Sequence, residues 1–441
     1  MSESQRWWER DARAVWHPFT QHSLWLDDEP TVVARAEGPW LYDVDGRRYL
    51  DGVSSLWTTT FGHGTPEINE AIVRQLSILD HSTFLGATHV PGIELAERLL
   101  SLAPTGTGPT LSKVFYAGDG SSAVEVALKM AYQSALQRGQ FRPLFLHLAE
   151  AYHGDTLGAV SVGGIELFHA TYRPILLSTL AVPSPGVRSP GQSPAERAAE
   201  VITELEKVMA NRGHEVCALV VEPMVQAAAG MLTYHADFLR ACRRIADAHG
   251  ALLICDEVAT GIGRTGRMWA CEHAGVVPDL LTCGKGLTGG YLPLSAVLTT
   301  DEVYQAFLGT PASGRTFFHG HTYTANPVCC AAANANLQLA VERDLVGQAA
   351  RLGERLGALL APLQSHPGVV EVRRIGTMTG VEVHSRGERT GFAVCQAARR
   401  RGVWLRPLGD VVVLMPPLTL EEAETELLVT ALAEAIDEVV A

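Results

Sequence analysis

The sequence predicts an α/β protein whose main sheet is largely parallel and is covered by helices on both faces. From about residue 66 to residue 330, short apolar segments alternate with longer amphipathic ones. The apolar segments have the length of strands and are almost continuously hydrophobic, which is typical of parallel strands buried on both faces. The candidate strands are residues 113–117, 143–149, 217–223, 251–258 and 292–300, and the clearest connecting helix is 193–213.

The two ends of the chain do not show the alternation of strands and helices seen in residues 66–330. Residues 40–51 alternate apolar and polar side chains around an Asp-Gly pair, which predicts a β-hairpin. After residue 331 a long helical segment is followed by a mixture of strands and helices, which predicts a smaller α+β domain. We therefore expect an N-terminal segment over 1–65, a large domain over 66–330 and a C-terminal small domain over 331–441.

Charge and cysteine content narrow the possible partners. The chain has 441 residues and a formal net charge of −13, so we expect it to bind neither nucleic acid nor anionic lipid. No apolar run approaches the roughly 18 residues of a membrane helix, and the first residues lack the apolar stretch of a secretion signal. The eight cysteines form no C-x-x-C pair, which is typical of reduced thiols. The expectation is a cytoplasmic protein without a membrane segment.

Lys285 has different surroundings from the other three lysines. Lys129 follows Glu125 by four residues on a predicted helix, a spacing that favours a surface ion pair. Lys207 lies in a charged helix, and Lys113 precedes a strand. Lys285 lies between two glycines and between two apolar segments. Such a lysine is either an ordinary loop residue or the amine that holds an aldehyde cofactor as a Schiff base.

Asp256 ends an apolar strand that covers residues 252–255. Open α/β sheets bind ligands at the carboxyl ends of their strands. A carboxylate there can accept a hydrogen bond from a protonated pyridine nitrogen and keep it protonated. The alternative is a helix N-cap, a position in which Asp is common.

Three further segments fit a flat, phosphorylated cofactor. Gly120 and Ser121 precede a predicted helix, whose free N–H groups and dipole would attract a phosphate, and Ser122 with Glu125 has the spacing of a capping box. Tyr152 follows the strand 143–149 and could stack on a ring, and Thr322 lies in a Gly-rich stretch where it could reach a phosphate. Each segment has an ordinary structural explanation when taken alone, whereas together they indicate a pyridoxal-5'-phosphate (PLP) site. We expect no metal site, because His319 and His321 lack carboxylate or thiolate companions.

In this order, the segments resemble the class III (ω-) aminotransferases, which are PLP enzymes of fold type I. The most specific stretches are 256–266 and 283–296, and the resemblance covers nearly the whole chain. It implies a large PLP-binding domain and a small α+β domain formed by both ends of the chain. It also implies a homodimer whose active sites lie at the subunit interface.

The resemblance assigns roles to individual residues. It implies that Lys285 holds PLP and moves the proton during catalysis, and that Asp256 binds the pyridine nitrogen. It places the phosphate on Gly120, Ser121 and the partner subunit's Thr322, with Tyr152 stacked on the ring and Glu222 near the cofactor. On the substrate side it implies Arg406 as the partner of a carboxylate. The other substrate-side residues would be Phe19, Leu56, Trp57, Tyr152, Arg264 and Gly320.

Within the class, segments 16–21, 51–57, 81–99, 318–327 and 404–417 are most similar to members that act in biotin biosynthesis. That similarity implies transfer of an amino group from S-adenosylmethionine to 8-amino-7-oxononanoate. Two positions depart from some members, which have Tyr at the position of Phe19 and a second Trp at the position of Leu56. The alternatives are a class III enzyme with another amine and keto acid, a PLP aminomutase or decarboxylase, and a metal hydrolase built on the His319/His321 pair.

Overall fold

A seven-stranded sheet forms the centre of the large domain. In the computed structural model, which describes residues 2–440, its strand order is β4-β12-β11-β10-β7-β5-β6. The seven strands are β4 (Leu111–Ala117), β5 (Leu144–Leu148), β6 (Thr179–Val182), β7 (Val216–Val221), β10 (Leu252–Asp256), β11 (Leu280–Cys283) and β12 (Ser295–Thr300). Six of them run in the same direction, and β12 is antiparallel to both of its neighbours. The predicted α/β fold with a mainly parallel sheet is confirmed.

The strands at the centre of this sheet are hydrophobic because both of their faces are covered. Every residue of β5, β7, β11 and β12 is buried, as expected for strands between two layers of helices. Helix α5 (Gly120–Gln137) contacts β12, β11 and β7 on one face, whereas α9 (Ala236–His249) packs on α8 (Pro194–Arg212) and contacts β10 and β7.

The remaining strands form three smaller sheets, in which the two ends of the chain meet. One has the order β1-β2-β3-β15, the second β13-β14-β17-β16 and the third β8-β9. Their strands are β1 (Val33–Glu37), β2 (Trp40–Asp43), β3 (Arg48–Asp51), β8 (Val225–Gln226), β9 (Leu232–Thr233), β13 (Val369–Ile375), β14 (Met378–Val383), β15 (Val403–Trp404), β16 (Arg406–Leu408) and β17 (Val411–Leu414). The predicted hairpin over 40–51 is present as β2 and β3, and β3 pairs in parallel with β15. The N-terminal segment is thus tied to the C-terminal part of the chain.

The other helices cover the sheets and connect their strands. They are α1 (Glu3–Ala14), α2 (Ser54–Trp57), α3 (Pro66–Leu76), α4 (Val90–Ser101), α6 (Leu157–Ser161), α7 (Glu166–His169), α10 (Asp301–Gln305), α11 (Pro327–Glu342), α12 (Leu345–Leu360), α13 (Thr390–Arg400) and α14 (Glu422–Val440). The predicted domain boundary at residue 330 falls inside α11, and the domain limits stay a prediction. Among the helices of residues 2–440, none combines the length and apolar character that a membrane crossing requires.

The start of α5 differs in detail from the prediction. Asp119 is its N-cap, and the Asp119 carboxylate accepts hydrogen bonds from the Ser122 amide at 2.9 Å and the Ser122 hydroxyl at 2.9 Å. The expected capping box of Ser122 with Glu125 is therefore wrong. Glu125 instead accepts from the Gly158 amide at 2.7 Å, which ties α5 to α6.

The expected surface ion pair of Lys129 with Glu125 is also not formed. The Lys129 ammonium lies 3.0 Å from His319 Nδ1 and 3.4 Å from the Phe318 carbonyl. A spacing of four residues brings two side chains to one helix face, but here both side chains have partners on other segments of the chain.

Candidate active site

A cleft of about 410 Å³ lies at the carboxyl ends of the parallel strands. Its lining contains the segments that follow five of these strands (β4, β5, β7, β10 and β11), because strands that run in the same direction all end at the same edge of the sheet. The lining residues are Trp57, Gly120, Ser121, Tyr152, His153, Gly154, Asp155, Thr156, Glu222, Ala227, Ala228, Asp256, Val258, Ala259 and Lys285. The cleft thus brings together seven of the predicted site residues, including the lysine and the strand-end acid.

Lys285 is held in the cleft by a tightly fixed turn. The residue has φ of 42°, a left-handed conformation that is uncommon outside glycine, and it begins a short 3₁₀ turn directly after β11. The Asn336 side-chain amide donates to the carbonyls of Gly286 at 2.8 Å and Leu287 at 3.1 Å, which fixes the turn to α11. Burial lowers the pKa of Lys285, although the nearby carboxylates of Asp256 and Glu222 oppose that shift. The neutral amine, which is the nucleophilic form, is therefore easier to reach than in an exposed lysine.

Asp256 is oriented by three donors. Its Oδ1 accepts from the Val258 amide at 3.0 Å and the Thr282 hydroxyl at 3.1 Å, and its Oδ2 lies 2.7 Å from His153 Nδ1. A carboxylate offers about four acceptor positions, so one remains for a ligand in the cleft. The carboxylate is fixed in place by these bonds and still lines the cleft.

His153 is completely buried beside Asp256. Burial alone would lower the pKa of His153, but the hydrogen bond and charge of Asp256, together with the charge of Glu222, raise it above the ordinary value. The Nε2 atom of His153 has no hydrogen-bond partner among residues 2–440. His153 thus places a donor with a raised pKa directly behind the carboxylate that lines the cleft.

Glu222 forms the floor of the cleft between β7 and the segment after β5. Its two oxygens accept from the backbone amides of Tyr152 and Ala227, each at 3.1 Å. Burial, reinforced by the nearby Asp256 charge, raises the pKa of Glu222 to about 7. Glu222 is therefore a group that changes its charge near neutral pH.

The N-terminus of α5 borders the cleft through Gly120 and Ser121. Gly120 is its first residue, and a Cβ added there would lie 2.6 Å from Val258 Cγ1, so no larger side chain fits. The Ser121 hydroxyl lies 2.9 Å from the Thr156 hydroxyl and accepts from the Thr156 amide at 3.1 Å. Helix N–H groups and two hydroxyls at one place form a favourable site for a phosphate.

The aromatic side of the cleft is built by Tyr152 and by residues behind it. The Tyr152 hydroxyl donates to Asp155 at 2.8 Å, and its ring packs against Phe168 with 6.1 Å between the ring centres. Phe168 in turn contacts Phe19 at 5.3 Å. Phe19 does not line the cleft itself and is 59% exposed, so it is connected to the site through Phe168.

Arg406 and Leu56 line a second cavity of about 410 Å³, next to the cleft. The Arg406 guanidinium lies close enough to the Tyr152 phenol for each to affect the other's pKa, although burial is the main cause that lowers the pKa of Arg406. Trp57 lines the cleft, whereas its neighbour Leu56 lines this second cavity. The turn that carries both residues therefore separates the two cavities.

Arg264 is not placed in the wall of the cleft. Its side chain is 2% exposed, and it donates to the carbonyls of Pro416 at 2.6 Å and Thr59 at 2.8 Å. Burial lowers the pKa of Arg264 to about 9. Through these two carbonyls Arg264 links the N- and C-terminal segments, and its expected substrate contact stays a prediction.

Gly320 and Thr322 lie outside the cleft of their own chain. Both are exposed, in a loop that also exposes Phe318 and Tyr323 by 82% and 67%. Within residues 2–440 no group of three or more His, Cys, Asp and Glu side chains has the arrangement of a metal site.

The whole chain, from the N-terminal hairpin to α14, has the pattern of a known family. The family described as "Aminotransferase class-III" matches residues 25–436. The chain belongs to the class-III aminotransferases. Among its relatives, the adenosylmethionine-8-amino-7-oxononanoate aminotransferase of Nitratidesulfovibrio vulgaris is 49% identical over 97% of this chain and 80% of the relative. The enzyme of that name from Geobacter sulfurreducens is 45% identical, over 99% of this chain and 98% of the relative.

Solved structures of class-III aminotransferases have the same fold. The adenosylmethionine-8-amino-7-oxononanoate aminotransferase of Methanocaldococcus jannaschii superposes with a TM-score of 0.93 at 37% identity, over 99% of this chain and 100% of that one. A PLP-bound amine transaminase from an uncultivated Pseudomonas species has a TM-score of 0.89 at 36% identity, over 96% and 98%.

Class-III aminotransferases use PLP, and the side chains of this cleft fit that cofactor. Lys285 supplies an amine for the aldehyde, Asp256 a fixed carboxylate for the ring nitrogen, and the N-terminus of α5 a place for the phosphate. The first two residues of that helix, Gly120 and Ser121, both line the cleft. The predicted cofactor is confirmed.

Several residues of the site were missed by sequence reasoning. His153 follows Tyr152 directly, but its partner Asp256 is 103 residues away, and no local pattern indicates the pair. Asn336 lies within a helix of ordinary composition, far from the lysine turn that it fixes. Thr156 offered one available clue, because it ends the same short polar segment that contains Tyr152.

Proposed function

We propose that this class-III aminotransferase transfers an amino group from S-adenosylmethionine to 8-amino-7-oxononanoate, giving 7,8-diaminononanoate. The observation that supports this proposal most strongly joins the cleft to a relative. The chain that contains the cleft with Lys285 and Asp256 is 49% identical, over 97% of its length, to a relative named for this reaction. The products are the diamine and the keto acid of the donor. The reaction is a step of biotin biosynthesis.

Lys285 and Asp256 have different roles in the proton-transfer step. When bound, PLP supplies an electron sink for the charge that develops at the donor's α-carbon. Lys285 Nζ removes the proton from that carbon, for which its lowered pKa is suited. Asp256, held by Val258, Thr282 and His153, keeps the proton on the ring nitrogen.

The remaining residues position the reactants. Tyr152 would stack on the cofactor ring, and Glu222 holds the backbone of Tyr152 in place through its hydrogen bond. Arg406 lies between the cleft and the second cavity, where its planar fork of donors suits a substrate carboxylate. Trp57 and Leu56 shape the wall between the two spaces, and Phe19 acts through Phe168.

We infer that the enzyme acts as a cytoplasmic homodimer. Thr322 and Gly320 are exposed in their own chain, beside apolar side chains that an isolated subunit would leave in water, such as Phe318. In the proposed dimer this loop approaches the partner's cleft, where Thr322 completes the phosphate site and Gly320 borders the substrate. Sedimentation equilibrium should give twice the chain mass; a monomer with full activity would contradict this assembly.

The reaction is tested by product analysis. Purified enzyme with S-adenosylmethionine and 8-amino-7-oxononanoate should form 7,8-diaminononanoate, detected by mass spectrometry, and Lys285→Ala should form at least about 100-fold less. Parallel reactions with lysine as donor and with pyruvate as acceptor identify a different substrate pair. Conversion of pyruvate but not of 8-amino-7-oxononanoate would move the enzyme to another substrate within the class. Turnover of a single substrate without a keto product would indicate an aminomutase or decarboxylase.

A further inference from the structure

The wall of the cleft next to Lys285 is formed by a strained turn. Over residues 54–57, Ser54, Ser55 and Trp57 all have positive φ, of 49°, 61° and 65°. None of the three is glycine, so each residue is in a conformation that side chains disfavour. Strain of this kind persists only where surrounding contacts impose it, and it is common at functional sites. The turn brings the Trp57 ring to 5.2 Å from the Lys285 ammonium.

The contact that imposes this conformation comes from Asp51. Its carboxylate is fully buried and accepts from the backbone amide of Ser55 at 2.7 Å and that of Val53 at 3.3 Å. Asp51 thus takes up the two backbone donors at the start of the turn. Without an acceptor at this place, these buried N–H groups would lack partners and the strained conformation would lose its main support.

Asp51 is in turn oriented by His63. The His63 Nε2 atom lies 2.8 Å from Asp51 Oδ2, the same oxygen that accepts from the Ser55 amide. The backbone of His63 exchanges two hydrogen bonds with Gly38, at 2.9 and 2.7 Å, and the Asp51 amide donates to the Pro39 carbonyl at 2.8 Å. Both residues are therefore anchored in the N-terminal sheet, outside the cleft.

The turn 54–57 is also fixed by one side-chain hydrogen bond and by packing. The Ser54 hydroxyl donates to the Met415 carbonyl at 2.8 Å, and the Trp57 ring packs with Val53 and Val225 in one hydrophobic cluster. Ser54 is thus held by Met415, whereas Asp51 holds the backbone amides of Val53 and Ser55 on either side of it.

We propose that Asp51, oriented by His63, is a positioning residue that holds the turn 54–57 so that Trp57 closes the cleft beside Lys285 and Leu56 borders the second cavity. It acts on substrate binding through Trp57 and touches neither the reacting atoms nor the cofactor. The inference rests on the proposed function only in that the enzyme must transaminate some amine and keto acid.

The structure offers a matched control in Asp43. This carboxylate is likewise buried and caps a turn of the same sheet, accepting from the amides of Asp45 at 3.0 Å and Arg47 at 2.8 Å, but that turn is not part of the cleft. Asp43→Ala therefore removes two amide bonds of the same kind, together with those that Asp43 accepts from the Arg47 guanidinium and the Tyr49 hydroxyl, and it measures the general effect of losing a buried carboxylate.

The test combines local hydrogen exchange with steady-state kinetics. In Asp51→Ala, amide exchange over residues 53–58 should become at least about tenfold faster, whereas Asp43→Ala should have this effect only around residues 44–47. Asp51→Ala should raise KM for the amino donor about 10- to 100-fold, with a smaller change in kcat, because a displaced wall misplaces the substrate. Asp51→Asn, which keeps one acceptor, should recover part of the affinity, and Asp43→Ala should leave KM unchanged.

A double variant tests the route of the effect. If Asp51 acts through Trp57, then Asp51→Ala in a Trp57→Ala background should leave KM at the value of Trp57→Ala alone. If Asp51→Ala does not fold, the single variants His63→Ala and Asp51→Asn replace it. Each of them should raise KM by a smaller factor. An unchanged KM in a folded variant overturns the proposal. Equal KM increases for Asp43→Ala and Asp51→Ala, or full additivity with Trp57→Ala, also overturn it.

If the wild type transaminates another substrate pair, the kinetics are run with that pair, so failure of the proposed function is seen separately.

Discussion

Gly120→Ala is the change that tests the phosphate end of the site most sharply. The added Cβ would lie 2.6 Å from Val258 Cγ1 and 3.2 Å from Val258 Cγ2, well inside contact distance. Val258 is β-branched and has little rotameric freedom, so the helix end or the valine backbone must move. Inserting a methyl group into such a contact costs about 1–3 kcal/mol. Because the Val258 amide also donates to Asp256, the movement reaches both ends of the cofactor site.

The assay is a titration of apoenzyme with PLP, followed by the visible absorbance of the bound cofactor. If the full cost falls on the bound state, Kd for PLP rises about 5- to 150-fold. Gly118→Ala is the matched control, since a Cβ at Gly118 meets no atom within 4 Å and its φ is not in the left-handed region. Combining Gly120→Ala with Val258→Ala removes the contact and should restore most of the affinity.

Two results would refute this reasoning. Wild-type PLP affinity in Gly120→Ala would mean that the helix end need not stay where it is for the cofactor to bind. Equal losses in Gly118→Ala and Gly120→Ala would mean that the effect is a general one of the loop and not of the Val258 contact.

Three further changes test the other groups of the cleft. Lys285→Ala should lower turnover about 10²- to 10⁴-fold or more, because the proton-transferring amine is gone; near-normal turnover in stopped-flow assays contradicts its role. Asp256→Asn should still bind PLP but should slow proton removal from the donor's α-carbon, which is measured as the isotope-sensitive rate with an α-deuterated donor. If that rate is the same in Asp256→Asn and in the wild type, Asp256 has no role in this step. Burial raises the pKa of Glu222 from 4.5 to about 7, so the folded apoenzyme gains stability from its protonated form below about pH 4.5 and loses that gain as the pH rises through 7. The difference in unfolding free energy between wild type and Glu222→Gln should therefore change by about 3 kcal/mol over this range; a difference independent of pH contradicts the shift.

The sequence could predict the parts of the site that follow from strand order. Asp256 ends a buried strand and Lys285 follows the next one, and parallel neighbours must end at the same edge, so their proximity is a consequence of topology. Gly120 was predictable as part of a Gly-rich turn that leads into a helix N-terminus, where free N–H groups attract a phosphate.

The parts that depend on long-range side-chain contacts could not be predicted. His153 is recognisable only once its distance to Asp256 is known. Arg264 lies in a stretch typical of the family, yet its guanidinium is occupied by carbonyls from both ends of the chain, and burial cannot be read from that motif. The strained turn of Trp57 contains no glycine to indicate positive φ.

The central claim, that the cofactor is held by Lys285 in this cleft, is tested most directly by chemical fixation. Borohydride reduction of the PLP-loaded enzyme makes the link between the cofactor and its amine permanent, and peptide mass mapping then identifies the amine. The chain has only four lysines, Lys113, Lys129, Lys207 and Lys285, so the assignment is unambiguous. The pyridoxyl mass should appear on the peptide that contains Lys285, at one per chain. Its appearance on Lys129 or another lysine, with Lys285 unmodified, would contradict the account.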